Sequence, residues 1–208
     1  MKKIKSKILI FDFDGTIVDS KQAYYHAMNK HLNILGFNKK EISGAIGIGL
    51  SMNETLKKLG FSFISRFFLK RKIMTDVLRK ANEIKKCKDV DAIKKIRVRK
   101  ILVSNSLKEF IIPVLKHLEL RKEFDEVYGA DDFTNKAEFV RGYLRKNKIN
   151  PKNCFYVGDR IADVKLAREV GCKSVIISGK CSWDSRKEIL AYKPDFLLFD
   201  LCDLGRVL

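Results

Sequence analysis

The sequence predicts an α/β fold: a doubly wound parallel sheet with an inserted α-helical segment. Three observations predict it. Short, continuous apolar runs recur along the chain, most of them stopped by Gly, Ser or an acidic residue. Beyond residue 100, stretches with one apolar helical face fill the gaps between those runs. Before residue 100, over eighty residues separate the first run from the second, with helical spacing and no convincing strand. Continuous apolar runs suit strands covered on both faces, and strands alternating with helices give a parallel sheet.

The first strand is expected at residues 7–11 (KILIF), ended by acidic residues and Gly15. Helical patterns follow at 22–35, 52–59, 63–86 and 90–96, punctuated by Gly36, Gly44, Gly47, Gly49 and Gly60. A crossover between parallel strands needs only about a dozen residues. Residues 17–87 are therefore read as an inserted helical subdomain, and 1–16 with 88–208 as one discontinuous core. Further strands are expected at 100–103 (KILV), 126–128 (EVY), 154–157 (CFYV), 174–177 (SVII) and 196–199 (FLLF). Apolar residues at 107, 110, 111, 114, 115 and 118 mark a helix, as do the patterns at 137–146 and 161–170.

Composition narrows the class. The 208 residues are 46% hydrophobic and 33% charged, which excludes a disordered or collagen-like chain. No apolar run approaches the ~20 residues that cross a bilayer, and the basic, acid-followed start is not expected to be a cleaved leader. A cytoplasmic protein without a membrane partner is expected, as monomer or homodimer. Five scattered cysteines without a CxxC argue against disulfides or zinc and for buried free thiols. The net charge is +18, and residues 57–100 hold sixteen Lys/Arg against four acids, so +12 sits in that stretch. Such a field attracts anions. Lysines outnumber arginines 31 to 12, while bidentate reading of phosphates and bases favours Arg. Nucleic acid is thus the weaker reading beside a small phosphorylated partner.

Four segments carry chemistry. Asp12 and Asp14, with Gly15 and Thr16, end the first strand, where an open parallel sheet binds its ligands. Two carboxylates that close push their pKa values apart, so that one stays an anion while the other holds a proton. Asp159 and Asp163 follow the 154–157 strand, one turn apart at a helix start, although an N-cap would explain Asp159 alone. Four carboxylates on one sheet edge suit Mg²⁺, with water and phosphate completing its shell. Ser104-Asn105-Ser106 follows the second core strand and suits an anion at a helix N-terminus or a cap, with equal weight. Lys136 opens a helix, where a cation opposes the macrodipole and so hints at another reason for its presence.

In order, these segments resemble the four motifs of the haloacid dehalogenase-like hydrolase superfamily: Asp12-x-Asp14-Gly15-Thr16, Ser104, Lys136 and Gly158-Asp159-x-x-x-Asp163. The resemblance covers nearly the whole chain. Residues 12–20 (DFDGTIVDS) and 48–56 (IGLSMNETL) are most similar to the phosphoglycolate phosphatase-type branch, whose cap lies after the first motif. It implies a Rossmann-like core and hydrolysis of a small phosphomonoester, phosphoglycolate- or sugar-phosphate-like. Asp12 would be the nucleophile that forms an aspartyl-phosphate, and Asp14 the general acid and then base. Mg²⁺ would be held by Asp12, Asp14 (through its carbonyl) and Asp159, with Asp163 as a ligand or behind the ligands. Ser104, Asn105 and Lys136 would bind the phosphoryl oxygens. Asp14 argues against the dehalogenase (D-x-Y), phosphonatase (D-x-A) and transport-ATPase (D-K-T) patterns. Residues 47–55 lack the arginine of the phosphoglucomutase branch, so a phosphomutase is kept only as the weaker, alternative reading. A polynucleotide-end phosphatase and a basic nucleic-acid-binding protein are the others. Lys136 is followed by Ala137 rather than Pro, which leaves Lys122 and Lys146 as candidates for its role.

The other polar and aromatic candidates are read as structural. His26, His31 and His117 have no partner in reach by spacing. Gly47-Ile48-Gly49 fits no phosphate loop and suggests a hinge or cap loop. Trp183 is expected at the motif edge, with packing as its first role.

Overall fold

The computed structural model describes residues 7–45 and 52–208. The chain runs through β1 (Ile8–Phe11), β2 (Val18–Asp19), α1 (Lys21–Ile34), α2 (Lys39–Ala45), α3 (Met52–Lys58), α4 (Phe63–Arg79), β3 (Lys85–Lys86) and β4 (Arg99–Val103). It continues through α5 (Lys108–His117), β5 (Glu126–Tyr128), α6 (Lys136–Lys146), β6 (Cys154–Gly158), α7 (Ile161–Val170), β7 (Lys173–Ile177), α8 (Arg186–Ala191) and β8 (Phe196–Leu198). Six strands form one sheet in the order β5-β4-β1-β6-β7-β8, and every pairing in it is parallel.

β1 is central because all four of its side chains are buried, and they feed two different layers. Leu9 and Phe11 join the core under α5 and the helical insertion, with Phe13, Met28, Ile73, Phe110 and Val114. Ile8 and Ile10 face the other way, onto Val140, Leu144, Ala167 and Val170 of α6 and α7. The two-residue alternation of a strand thus covers both sheet faces from one run of apolar residues. The chain winds from β1 through β4 to β5, then returns to β1's other side with β6. The carboxyl ends of β1, β4 and β6 therefore lie side by side at a topological switch point.

The insertion differs from expectation in detail. The helix expected over 63–86 ends at Arg79, and Lys85–Lys86 pair antiparallel with Val18–Asp19. The Cys87 amide also donates to the Ile17 carbonyl (3.0 Å), joining the exit of the insertion to its entrance. Strands of two residues leave no period to read. The 90–96 segment is a 3₁₀ helix (Val90–Lys95) rather than an α-helix, begun by Asp89 at φ 61°. Its buried residues, Val90 and Ile93, are three apart, the repeat of that tighter helix. The glycine break expected at Gly44 falls inside α2, while α8 was not expected and is started by a Ser185/Glu188 capping box. The Gly47-Ile48-Gly49 segment lies outside the described residues.

Of the five thiols, four are buried and Cys202 is exposed. His31 is satisfied by Asp76, at 3.0 Å.

Candidate active site

The carboxyl ends of β1, β4 and β6 open into a cavity of about 580 Å³, with α1, α3 and α4 of the insertion on its other side. Asp12 follows β1 directly, and its amide donates to the Val157 carbonyl of β6 (2.8 Å), which holds it above the sheet edge. Lys136 Nζ donates to Asp12 Oδ1 at 2.8 Å, and both side chains are almost wholly removed from solvent. The helix start that disfavours a cation is satisfied separately, because Asn135 accepts the Ala137 and Glu138 amides. Lys136 is thereby free to point at Asp12, and it rather than Lys122 or Lys146 lines the cavity.

Asp159 and Asp163 lie beside Asp12, with a carboxylate oxygen of each of the three within 4.8 Å of the others. Asp159 is fully buried and held at both oxygens, by the Thr16 hydroxyl (3.1 Å) and the Trp183 amide (2.7 Å). Asp163 turns Oδ2 back onto the amides of Asp159 and Arg160 (3.1 and 2.9 Å), capping α7. Burial, and then the neighbouring Asp163 charge, push Asp159 well above the usual carboxylate range. Burial and Asp12 raise Asp163 to about 7. Lys136 and, at longer range, Arg160 set two cations against these three carboxylates, and of the three only Asp12 touches Lys136. The donor set is hard oxygen, compact and short of positive charge, which fits a small divalent cation such as Mg²⁺.

Two glycines make this packing feasible. Gly15 has φ 80°, and a Cβ there would meet Asp159 Oδ2 at 2.3 Å and Trp183 Cδ1 at 2.5 Å. A Cβ on Gly158 would meet the Asp163 carboxyl group, also at 2.3 Å.

Asp14 stands apart from the three-carboxylate group. Ser20 Oγ donates to its Oδ1 (2.5 Å) and Ser106 Oγ to its Oδ2 (2.6 Å). Burial raises Asp14 to about 6, against the lowering effect of those two hydroxyls. The two aspartates of the first strand thus differ in setting: Asp12 faces a cation, while Asp14 is desolvated among hydroxyls.

Ser104 is buried, and its Oγ accepts the Ser106 amide (3.1 Å) rather than capping a helix. The N-cap of α5 is Leu107. Ser104, Asn105 and Ser106 all line the cavity.

All seven residues singled out in the sequence thus come to one cavity or its floor. Several others there went unread. Tyr24 of α1 is hydrogen-bonded to Ser106 (2.7 Å) and packs on Trp183 (5.7 Å between rings). Lys21 Nζ donates to the Ser182 and Trp183 carbonyls (3.3 and 3.1 Å), and Asp184 accepts the Ile161 amide at the start of α7 (2.8 Å). Lys70 of α4 lines the cavity, as do Met28, Met52 and Met74. Ser20 and Ser106 adjoin the motifs and were within reach of a reading that paired hydroxyls with carboxylates. Tyr24, Lys70 and Asp184 carry no local signal.

A parallel sheet with paired aspartates, lysine and a hydroxyl loop at its switch point defines a class of enzyme, and comparison identifies it. The haloacid dehalogenase-like hydrolase family model matches residues 9–177, and the chain belongs to that family. Within it, the chain is of the phosphoglycolate phosphatase type and is a phosphatase. It is 26% identical over 212 residues to a phosphoglycolate phosphatase of Aquifex aeolicus, covering 97% of this chain and 96% of the relative. A phosphoglycolate phosphatase of Synechococcus elongatus is 24% identical, with 94% of each covered. Among solved structures, a haloacid dehalogenase-like family hydrolase from Streptococcus pneumoniae superposes with a TM-score of 0.82 at 19% identity, covering 98% of each chain. CbbY from Rhodobacter sphaeroides, solved in complex with phosphate, gives 0.75 at 17% identity, covering 96% of each chain.

Proposed function

We propose that this phosphatase hydrolyses a small phosphomonoester bearing a second anionic group, such as phosphoglycolate, with Mg²⁺ as cofactor. The observation that carries the reading is the Lys136–Asp12 pair beside the Asp159/Asp163 carboxylates, at one end of a cavity whose other wall includes Lys70. Residues 1–16 and 88–208 act as the catalytic core and 17–87 as a cap that excludes water and selects substrate.

In this reading Asp12, Asp159 and Asp163 hold the cation, with the Asp14 carbonyl, and Asp163 also orients the loop through its amide contacts. When bound, the cation would offset phosphoryl charge at the reacting end. Lys136 and the Ser104-Asn105-Ser106 loop hold the phosphoryl oxygens in place. An Asp12 oxygen attacks phosphorus as the bond to the ester oxygen breaks, and Asp14 gives that oxygen its proton. Asp14, now a carboxylate, takes a proton from a water that attacks the same phosphorus. The bond from phosphorus to Asp12 breaks, and inorganic phosphate leaves. Asp14, raised to about 6, is suited to both transfers near neutral pH. Lys70 binds the remote anion, and the three methionines fit the short chain between the groups.

The test is phosphate release from phosphoglycolate, sugar phosphates, nucleotides and a 3′-phosphorylated oligonucleotide, with Mg²⁺ and with chelator, for the native protein and Asp12→Asn. Release that needs both Mg²⁺ and Asp12 and is fastest with phosphoglycolate supports the reading. Isomerisation of a sugar phosphate with a bisphosphate activator, or preference for the oligonucleotide, would replace it.

A further inference from the structure

Six of the nine large apolar side chains left exposed among the described residues belong to the insertion: Ile34, Leu35, Phe63, Ile64, Phe67 and Phe68. Their exposures run from 53% to 76%, so these side chains stand out in solvent. They gather at one end of the insertion. Phe37, just after α1, and Phe61, just before α4, pack ring to ring at 5.5 Å. Ile34 and Leu35 precede the first of these rings by two or three residues, and Phe63 and Ile64 follow the second by as many. Phe67 and Phe68 lie one turn further along α4, with their own rings 5.6 Å apart. The core side of α4 is a different set, Leu69, Ile73, Met74 and Val77. The exposed stripe is therefore surplus to folding, and a patch of this kind marks an interaction surface.

Its rim is basic. Arg66, Arg71 and Lys72 come from α4 itself, Lys39 and Lys40 open α2, and Lys57 and Lys58 close α3. Arg66 lies over the Phe63 ring at 5.9 Å. Of the nearby acids, Glu41 accepts the Asn38 amide, and Asp76 is already surrounded by Lys30, His31 and Arg79.

We propose that this end of the insertion docks on an anionic lipid surface, with the Phe and Ile side chains at the headgroup boundary and the cations on the headgroups. The chemistry selects that occupant. Two copies joined through the patch would set each basic rim against itself. A nucleic acid strand would use the rings for stacking but leave Ile34, Leu35 and Ile64 without a role. A bilayer boundary takes aliphatic and aromatic side chains alike, and anionic headgroups attract each nearby Lys or Arg. The contact is peripheral, because no helix among the described residues is long and apolar enough to cross a membrane. The expectation of no membrane partner concerns a spanning segment, and peripheral docking needs none.

The experiment is sedimentation of the intact protein with vesicles of phosphatidylcholine alone and with about one-third phosphatidylglycerol. Binding is expected to the anionic vesicles and not to the neutral ones, and to weaken in about 0.5 M salt. Phe63→Ser with Phe67→Ser and Phe68→Ser should lower binding about tenfold per ring. Arg71→Glu with Lys72→Glu should weaken it while the rings remain. Both variants should keep native phosphate release in solution, since none of these residues lines the cavity, and that shows they are folded. No binding to anionic vesicles, or equal binding to neutral ones, overturns the proposal. So does a native dimer that the Phe substitutions dissociate, or an oligonucleotide affinity that they abolish without vesicle binding.

Discussion

Tyr24 and Asp14 are joined through a single oxygen. Ser106 Oγ donates to Asp14 Oδ2 at 2.6 Å, so the Tyr24 hydroxyl, 2.7 Å from the same oxygen, is the donor to Ser106. A residue on the first helix of the insertion thereby polarises the hydroxyl that steadies the core's buried acid. The two hydroxyls on Asp14 favour its anion, while burial favours its protonated form and dominates, leaving it at about 6.

The first prediction concerns pH. In the proposed mechanism Asp14 is protonated to serve an alkyl leaving group, so kcat/KM should fall as pH rises through about 6. Ser106→Ala removes a donor that stabilises the anion. The pKa then rises and the falling limb moves to higher pH. Tyr24→Phe should move it the same way by less, since it only weakens the Ser106 donor. A pH–rate profile of each variant on an alkyl phosphate reads this, and an unmoved limb in Ser106→Ala contradicts it.

Lys136 supplies the second. Its ammonium touches Asp12 and is held within the core, so Lys136→Met removes the cation that faces the proposed nucleophile. Phosphate release should drop at least about a hundredfold. Lys136→Arg should not restore it, because a planar guanidinium does not replace a compact ammonium in a packed site. Single-turnover rates separate this loss from weaker binding.

Sheet and motifs were legible in the sequence because both are local. A run such as 154–157 followed by Gly158-Asp159 gives a buried strand and its carboxylate-bearing end within six residues. The links between insertion and core were not legible. Val18–Asp19 meets Lys85–Lys86 across 66 residues, and two residues carry no period. Tyr24 meets Ser106 across 82 positions, and Trp183 serves Asp159 through its backbone amide, which any residue type offers. Asp14's isolation from the other three carboxylates was equally hidden, since spacing places it beside Asp12 and only the hydroxyl partners turn it away.

Gly15 gives a third prediction. Its φ of 80° strains any other residue, and an added Cβ would lie 2.3 Å from Asp159 Oδ2. Gly15→Ala should lower the melting temperature, with a loss of about 1–3 kcal/mol, and displace the carboxylate cluster. Gly142→Ala, where nothing lies within 4 Å and the residue is in α6, should instead be neutral or stabilising. Thermal melts of the two variants give the contrast.

The α4 side of the cavity gives a fourth. Lys70 is the α4 cation that reaches the cavity, whereas Lys21 is engaged by two carbonyls. Lys70→Ala should raise KM for phosphoglycolate about tenfold or more with little change in kcat. Ethyl phosphate, which has no second anion, should be turned over equally by both proteins. Equal losses on both substrates would place Lys70 in folding or in the general shape of the cavity rather than in selection.

The carboxylate cluster gives the last. Folding takes Asp159 and Asp163 into a buried site that raises their pKa values, Asp163 to about 7 from an ordinary 3.8. The folded state then binds more protons than the unfolded chain between those values. Stability of the cation-free protein should therefore fall as pH rises from about 4 towards 7. A divalent cation bound at the anionic cluster should reverse that loss, by about 2.7 kcal/mol when present at a hundred times its Kd. The Mg²⁺-induced rise in melting temperature should be larger at pH 8 than at pH 5, where protons compete for the same oxygens. Asp159→Asn removes a ligand charge and one source of repulsion together. That variant should melt at or above the cation-free native protein at pH 8 and respond little to Mg²⁺. A Mg²⁺ shift that is the same at both pH values, or that survives in Asp159→Asn, would mean that the cation sits elsewhere.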